Sequence, residues 1–158
     1  MLVTSDDGFI MSGTGKKPQL NGLLGISDTL TENSVSYVAK FTSFGALKWV
    51  VKLKYYGVIN GVEKDSKGNI YIIGYARVYS FLTLTNGDSI RIAKSPDDSV
   101  THKINGFIVK LDSLGNYLWH SVIADQTPLN QCSVCKGGIP YTIKVQNDEI
   151  AIGGNFYA

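Results

Sequence analysis

The hydrophobic pattern of the chain consists of short runs of β-branched, aromatic and aliphatic residues separated by polar turns that contain glycine. Runs of this length, bounded by Gly, Asn, Asp and Ser, are typical of β-strands joined as hairpins. The run Ile70–Ile73 is apolar at every position, which indicates a strand covered on both faces. The pattern predicts nine strands, at about 9–13, 36–42, 46–53, 58–64, 69–77, 105–111, 116–124, 139–146 and 149–156.

Two sequence elements recur along the chain. The first runs from Tyr37 to Trp49 and again from Phe107 to Trp119, and the second runs from Asp65 to Gly74 with weaker echoes at 5–13 and 146–154. Strict alternation of two elements along a chain is the signature of a tandem structural repeat. Four positions are identical between the two copies of the first element: Lys40 and Lys110, Ser43 and Ser113, Gly45 and Gly115, Trp49 and Trp119.

The recurring Trp and Gly residues are interpreted as structural anchors of the repeat. Trp49 and Trp119 each lie four residues after a turn glycine, in the last strand of a unit, where a ring of this size buries a large apolar surface against a neighbour. An aromatic platform for a ligand is the alternative for both rings. The predicted structural anchors are Trp49, Trp119, Gly45, Gly115 and Gly74.

Two turns share the sequence Asp-Ser-x-Gly-Asn, at Asp65–Asn69 and Asp112–Asn116. In a hairpin loop of this length we expect the Asp side chain to accept hydrogen bonds from turn amides, and Gly and Asn to take the positions with positive φ. A calcium loop is the alternative interpretation. One carboxylate per turn falls well short of the roughly six to eight oxygen ligands that calcium needs.

Composition narrows the class of protein further. The chain has 158 residues, 44% hydrophobic and 18% charged, with 17 Gly and 4 Pro, and this balance favours an ordinary globular all-β protein. The net charge of +2 comes from scattered Lys and Arg, so we expect no nucleic-acid partner. No apolar run approaches the roughly 20 residues of a membrane span, and the first residues lack the features of a signal peptide. We therefore expect either a cytosolic chain or a true N-terminus that lies elsewhere.

The repeated residues resemble the bacterial-type β-propeller repeat, whose consensus combines an aromatic-Val-x-Lys strand, an Asp-x-x-Gly turn and a following Trp with a second Asp-x-x-Gly-Asn-Ile-Tyr element. The resemblance is carried by 37–49, 65–74 and 107–119 and spans nearly the whole chain. It implies blades of four antiparallel strands, and proteins of about six to eight blades that are often scaffolds on cell surfaces or outside cells. The predicted fold is all-β, an incomplete propeller of a little over two blades.

The predicted blades are cut at both ends. Blade one spans 1–54 and lacks its first strand, blade two spans 55–125, and blade three spans 136–158 and lacks its last strands. Two blades cannot close a ring. We therefore expect either the remaining blades of a longer chain or further copies to cover the open faces, with the longer chain favoured.

A weaker resemblance is to the quinone-cofactor dehydrogenase propellers, whose docking motif also ends in Gly-x-x-x-Trp after an Asp. Asp112 stands three residues before Gly115, where that family usually has four, and the equivalent of Asp112 in the other copy is Thr42. These departures weigh against an enzyme of that type. No cofactor, catalytic residue or metal ligand is predicted.

Two insertions interrupt the repeats. The stretch between Tyr79 and Lys103 contains an Asn-Gly turn, which favours an extra hairpin projecting from the blade. The stretch after Trp119 holds the only two cysteines, Cys132 and Cys135. A local disulfide, inert thiols, and half of a zinc or redox site remain open for this pair, with the disulfide favoured.

The remaining polar residues form no recognisable catalytic set. His102 and His120 have no triad or metal spacing, and solvated or locally bonded imidazoles are favoured for both. The adjacent pairs Asp6–Asp7 and Asp97–Asp98 point apart on an extended chain. The sequence therefore favours a non-enzymatic scaffold or binding module that presents loops to a protein or a glycan. A fragment of a propeller enzyme and a structural subunit of a large assembly are the alternatives.

Overall fold

The structure is a computed structural model that describes residues 1–15, 19–21, 27–29, 35–54, 57–77, 80–92, 104–123 and 138–156. All regular secondary structure in these ranges is β, as the sequence predicts. In chain order the strands are β1 Leu2–Val3, β2 Phe9–Gly15, β3 Gln19–Asn21, β4 Ser27–Thr29, β5 Val35–Phe41, β6 Leu47–Lys54, β7 Gly57–Lys64, β8 Ile70–Arg77, β9 Phe81–Thr83, β10 Ser89–Arg91, β11 Ile104–Leu111, β12 Tyr117–Ile123, β13 Gly138–Gln146 and β14 Glu149–Phe156.

The first sheet has six antiparallel strands in the order β1-β2-β5-β6-β9-β10. Its centre is the meander β2-β5-β6, which the repeated sequence predicts. The two-residue strand β1 pairs with β2 at the edge where the sequence predicts no strand. At the opposite edge, β9 and β10 form the hairpin that the Asn-Gly turn predicts. This hairpin does not project, however, because β9 pairs with β6 over residues 52–54.

The second sheet is a four-stranded antiparallel meander in the order β12-β11-β8-β7. Its strands lie within one or two residues of the four strands that the sequence predicts for this unit. A hairpin of β13 and β14 follows, and β3 with β4 forms a separate two-stranded sheet. The nine predicted strands are thus all present, and the five additional ones are short.

The main core lies between the first and second sheets. Residues at alternate positions of β6, including Trp49, Val51 and Leu53, pack in one cluster with residues at alternate positions of β11, including Phe107 and Val109. The period of two places these side chains on one face of each sheet.

A second, smaller cluster lies on the other face of the second sheet, where Tyr71, Ile73 and Ile108 meet Ile143 and Val145 of β13. The second sheet is therefore covered on both faces. This explains why Ile70–Ile73 is apolar at every position.

Candidate functional site

The two Asp-Ser-x-Gly-Asn turns have the same internal hydrogen bonds. Asp65 Oδ1 accepts from the backbone N–H groups of Lys67 at 3.0 Å and Asn69 at 2.8 Å, and its Oδ2 accepts from the Asn69 side chain at 2.7 Å. Asp112 accepts from Leu114 N–H, Asn116 N–H and the Asn116 side chain at 2.8 to 2.9 Å. The expected role of Asp as an acceptor for turn amides is confirmed.

The expected backbone role of Asn in these turns is wrong. Gly68 and Gly115 take positive φ values of 83° and 86°, but neither Asn69 nor Asn116 does. Each Asn instead donates its side-chain amide to the carboxylate four residues earlier. The motif needs Asn for its hydrogen-bond donors, while glycine alone supplies the left-handed conformation.

Asp65 also holds a lysine of the neighbouring strand. Lys110 Nζ lies 3.3 Å from Asp65 Oδ2 and 4.7 Å from the centre of the Tyr71 ring. Burial alone would raise the pKa of Asp65, but the Asn69 donors and Lys110 more than offset it and hold that pKa below its ordinary value. The pKa of Lys110 is raised by Tyr71 and, against the effect of burial, by Asp65. Both groups are therefore charged at neutral pH.

The first sheet contains an equivalent ion pair built differently. Lys40, the counterpart of Lys110, lies 3.1 Å from Asp6 Oδ2, and Lys48 Nζ lies 2.7 Å from the same oxygen. Hydrogen bonds from Lys48, Thr4 and Lys40 hold the pKa of Asp6 far below its ordinary value. Thr4 occupies the turn position that Asp65 has in the second sheet, since the backbone N–H of each donates the bond that closes its turn, from Thr4 to the Gly8 carbonyl and from Asp65 to the Asn69 carbonyl. Relative to the turn, Asp6 therefore stands two residues later than Asp65, whereas Lys40 and Lys110 occupy the same repeat position.

The ring of Trp49 lies at the contact between the first and second sheets. The turn 112–116 of the second sheet covers it, and the Ser113 carbonyl oxygen accepts from Trp49 Nε1 at 3.3 Å and Lys40 Nζ at 3.4 Å. A Cβ atom built on Gly115 would lie 2.8 Å from Trp49 Cγ, so only glycine fits against the ring face. Trp49 is 3% exposed, which leaves no platform for a ligand.

Trp119 has a different environment although it occupies the same repeat position. Its ring meets the edge of Tyr71 at 6.1 Å between centroids, and its residue is 36% exposed. His120 points to the opposite face, as predicted, where its Nδ1 lies 2.8 Å from the Tyr117 hydroxyl. The imidazole is locally bonded.

The two remaining predicted anchors are glycines for different reasons. Gly45 has a φ of 81° in the turn between β5 and β6, a left-handed conformation that favours glycine. Gly74 lies in β8, where an added Cβ would approach the Val58 carbonyl oxygen at 2.1 Å, so a larger side chain does not fit.

Large apolar side chains are exposed at several places in the described ranges, including Met1 and Val3 near the start of the chain. Two others, Phe44 and Leu114, occupy the tips of the turns at 42–46 and 112–116. On β12, β13 and β14 the exposed large apolar residues are Tyr117, Leu118, Trp119, Tyr141, Ile150 and Phe156. We call the members of this last group other than Tyr117 the open face, because Tyr117 bonds to His120 on the face of β12 opposite to Trp119.

A side chain that sequence reasoning missed, Thr85, forms hydrogen bonds with the backbone edge of β6 next to the part that pairs with β9. The Thr85 hydroxyl donates to the Val50 carbonyl at 2.8 Å and accepts from the Val50 N–H at 2.9 Å. It thereby takes the place of a paired strand just beyond β9. The only sequence signal for this contact is the Thr-rich stretch before the Asn-Gly turn.

Several predicted features lie outside the described residues, including Cys132, Cys135, His102 and the pair Asp97–Asp98. Within the described ranges, no three His, Cys, Asp or Glu side chains cluster as metal ligands would. The same ranges contain no helix with the length and hydropathy needed to cross a membrane.

The geometry is that of an all-β protein of packed antiparallel sheets. No protein-family model matches the chain, and neither any curated protein nor any solved structure matches it.

Proposed function

We propose that the chain is a non-enzymatic binding scaffold, a segment of a β-propeller whose open face binds a protein partner. The support for the propeller assignment is the four-stranded meander β7-β8-β11-β12, packed on its face against a sheet of the same repeated sequence. Radial stacking of such sheets is the propeller architecture.

The observation that carries the binding assignment is the contrast between the two repeated tryptophans. Trp49 is 3% exposed and Trp119 is 36% exposed, although both follow the same turn sequence. Exposed aromatic residues are enriched at protein interfaces and supply much of their binding energy. The open face, centred on Trp119, therefore has the composition of an interface.

The charged groups of the described sheets favour a structural role over a catalytic one. Asp65 and Lys110 bind each other and their own turn, and Asp6 binds Lys40 and Lys48. These ion pairs attach turns to neighbouring strands. This supports the scaffold assignment over the alternative of an enzyme fragment.

A photo-cross-linking experiment tests the proposal. A photoreactive residue at position 118, which is 46% exposed beside Trp119, is compared with one at Lys67, whose side chain is 69% exposed in a turn. We expect position 118 alone to give a defined cross-linked protein. That protein is then purified and its affinity measured for the chain and for Trp119→Ser, which should bind roughly tenfold more weakly.

Two results would overturn the proposal. One is equal affinity of the purified partner for Trp119→Ser and the unchanged chain. The other is a hydrolytic or redox activity of the isolated chain that Trp119→Ser retains and that Lys110→Met abolishes while the fold is kept, as monitored by circular dichroism.

A further inference from the structure

The contact between the first two sheets defines what covers a tryptophan at the repeated position. In the first sheet, Ile10, Lys40 and Trp49 form one row across β2, β5 and β6. The turn between β11 and β12 lies over the end of this row, with its Ser113 carbonyl on Lys40 and Trp49 and its Gly115 against the ring. The cover is thus a hairpin turn with a serine carbonyl and a left-handed glycine.

The second sheet has an equivalent row of residues on its face away from the first sheet. Tyr71, Lys110 and Trp119 are paired across β8, β11 and β12 in the register of Ile10, Lys40 and Trp49. The hairpin β13–β14 covers the inner part of this face, where Ile143 and Val145 meet Tyr71. Trp119, at the outer end of the row, stays 36% exposed.

The hairpin β13–β14 has the local geometry of β7–β8. Both have a register shift at the same place, between Ile59 and Gly61 in β7 and between Pro140 and Thr142 in β13, opposite Gly74 and Gly154. This match sets β14 equivalent to β8. Whereas β8 pairs with both β7 and β11, β14 pairs among the described strands with β13 alone.

Exposure of equivalent residues marks the area that a further hairpin would cover. Ile150 is 37% exposed, while its counterpart Ile70 is 1% exposed beside β11. Phe156 is 52% exposed, while its counterpart Ala76 is fully buried. These residues lie on the strand whose outer edge has no described partner, and Trp119 lies on the sheet beneath. In the preceding unit the equivalent positions are covered by β11 and by the turn between β11 and β12.

We propose that the outer edge of β14 and the ring of Trp119 form a docking site for a β-hairpin of a partner polypeptide, built like residues 104–123 of this chain. Its first strand pairs antiparallel with β14, and its turn, of the type Ser-x-Gly, lies on Trp119. Strand addition at an open edge supplies backbone hydrogen bonds, and the turn supplies selectivity. This inference rests on the proposed binding function and specifies its partner.

The chemistry of the turn follows from the contact already present at Trp49. A backbone carbonyl at the serine position accepts from Lys110 and the Trp119 indole, as Ser113 accepts from Lys40 and Trp49. The residue two positions later must be glycine, because any Cβ there meets the ring and a positive φ is needed. Apolar strand residues cover Ile150 and Phe156.

The test uses a synthetic peptide of residues 104–123, cyclised through its ends because an isolated hairpin is only marginally stable. In the peptide alone, the tryptophan is replaced by phenylalanine, Trp119→Phe. The tryptophan fluorescence then comes only from the protein. We expect titration of the full chain to shift the emission of Trp119 to the blue and to protect amide hydrogens of 149–156 from exchange. A peptide that also carries Gly115→Val should bind roughly tenfold more weakly or not at all.

Matched variants of the protein locate the site. Trp119→Ala should lose most of the peptide affinity, whereas Phe44→Ala, which alters an exposed turn tip of the other sheet, should leave it unchanged. Peptide binding that tolerates both Gly115→Val and Trp119→Ala would overturn the inference. So would self-association of the chain that buries Trp119 without peptide, since the occupant would then be a second copy.

The two proposals fail in different ways. If the peptide does not bind but a partner cross-linked through position 118 does, the hairpin inference is wrong and the scaffold proposal stands. If neither binds, and Trp119→Ala changes no association, both are wrong.

Discussion

Strand β6 of the first sheet and strand β12 of the second follow the same repeated turn and yet have opposite surroundings. Leu47 and Trp49 of β6 are 8% and 3% exposed, whereas Tyr117 and Trp119 at the matching positions of β12 are each 36% exposed. The difference comes from neighbours. The turn 112–116 covers Trp49, and the β9–β10 hairpin seals the edge of β6, whereas no described strand pairs along the outer edge of β12.

The sequences of the two strands have adapted to this difference beyond the repeated residues. Val50 and Val51 of β6 correspond in register to His120 and Ser121 of β12. At these two positions the covered residues are apolar and their counterparts in β12 are polar. Trp119 keeps the repeated residue although it is 36% exposed, and this is the reason for assigning it a partner.

Replacing each of the two tryptophans by alanine should give the largest difference in stability between the two strands. We expect Trp49→Ala to lower the free energy of unfolding by about 3–5 kcal/mol, because it empties a filled site between two sheets. Trp119→Ala, at a position more than one third exposed, should cost about 1 kcal/mol. Urea denaturation of both variants measures the difference. Equal losses would show that Trp119 is packed as tightly as Trp49 in solution.

The turn that covers Trp49 gives the next largest effect. Gly115→Ala adds a Cβ 2.8 Å from the ring and forces alanine to a φ of 86°, so we expect a loss of about 2–3 kcal/mol. Gly87→Ala is the matched control, because its φ is 91° and nothing lies within 4 Å of the added atom. Backbone strain alone should cost the control about 1 kcal/mol. Denaturation curves that coincide would contradict the ring contact.

The ion pair of the second sheet predicts a pH dependence. The pKa of Asp65 is lower in the folded chain than the ordinary value of about 3.9, so its stabilisation is present above that pH and is lost as the pH falls towards the folded value. Asp65→Asn should therefore lower stability at pH 7 by about 1–3 kcal/mol, since it leaves Lys110 beside a neutral group.

The same variant should flatten the loss of stability in acid. Thermal unfolding between pH 7 and pH 3 compares it with Asp112→Asn, whose turn has the same amide donors but, within the described ranges, no ion pair with a lysine. We expect the smaller stability change at pH 7 for Asp112→Asn. An unchanged acid profile for Asp65→Asn would contradict the role assigned to that carboxylate.

Removal of the hydroxyl that closes the β6 edge should give the smallest effect. Thr85→Val keeps the shape of the side chain and removes both hydrogen bonds to Val50, at a cost of about 1 kcal/mol. Thr83→Val removes only an exposed bond to Ser89 and should change stability by less than about 0.5 kcal/mol. Faster amide exchange at Val50 in Thr85→Val alone would locate the effect.

Much of the fold could be predicted because it depends on local signals. The period of two, the turn glycines and the recurrence of Lys40 with Lys110 placed all nine long strands and their hairpins. The short strands β1 and β9 could not be assigned in this way, since their pairing partners are chosen by tertiary packing and not by their own two or three residues. The same limit applied to the hairpin β9–β10, whose turn was predicted but whose position against β6 was not.

The candidate site was less predictable from sequence for a related reason. The repeat identified Trp49 and Trp119 as equivalent, and only the arrangement of the sheets separates the covered ring from the open one. The role of Thr85 depends on backbone groups of a distant strand, and the Thr-rich stretch around it does not identify Val50 as the partner. Turn chemistry was local and mostly correct, with the side-chain role of Asn69 as the exception.

The β9–β10 hairpin has a consequence for how the chain folds. It belongs by sequence to the connection between β8 and β11 of the second sheet, but its hydrogen bonds are with β6 of the first. The first sheet therefore cannot complete its edge until the chain has passed through half of the second. Opening of either sheet strains the other, so the two should unfold as one cooperative unit, and a fragment ending at Arg77 would leave the edge of β6 exposed.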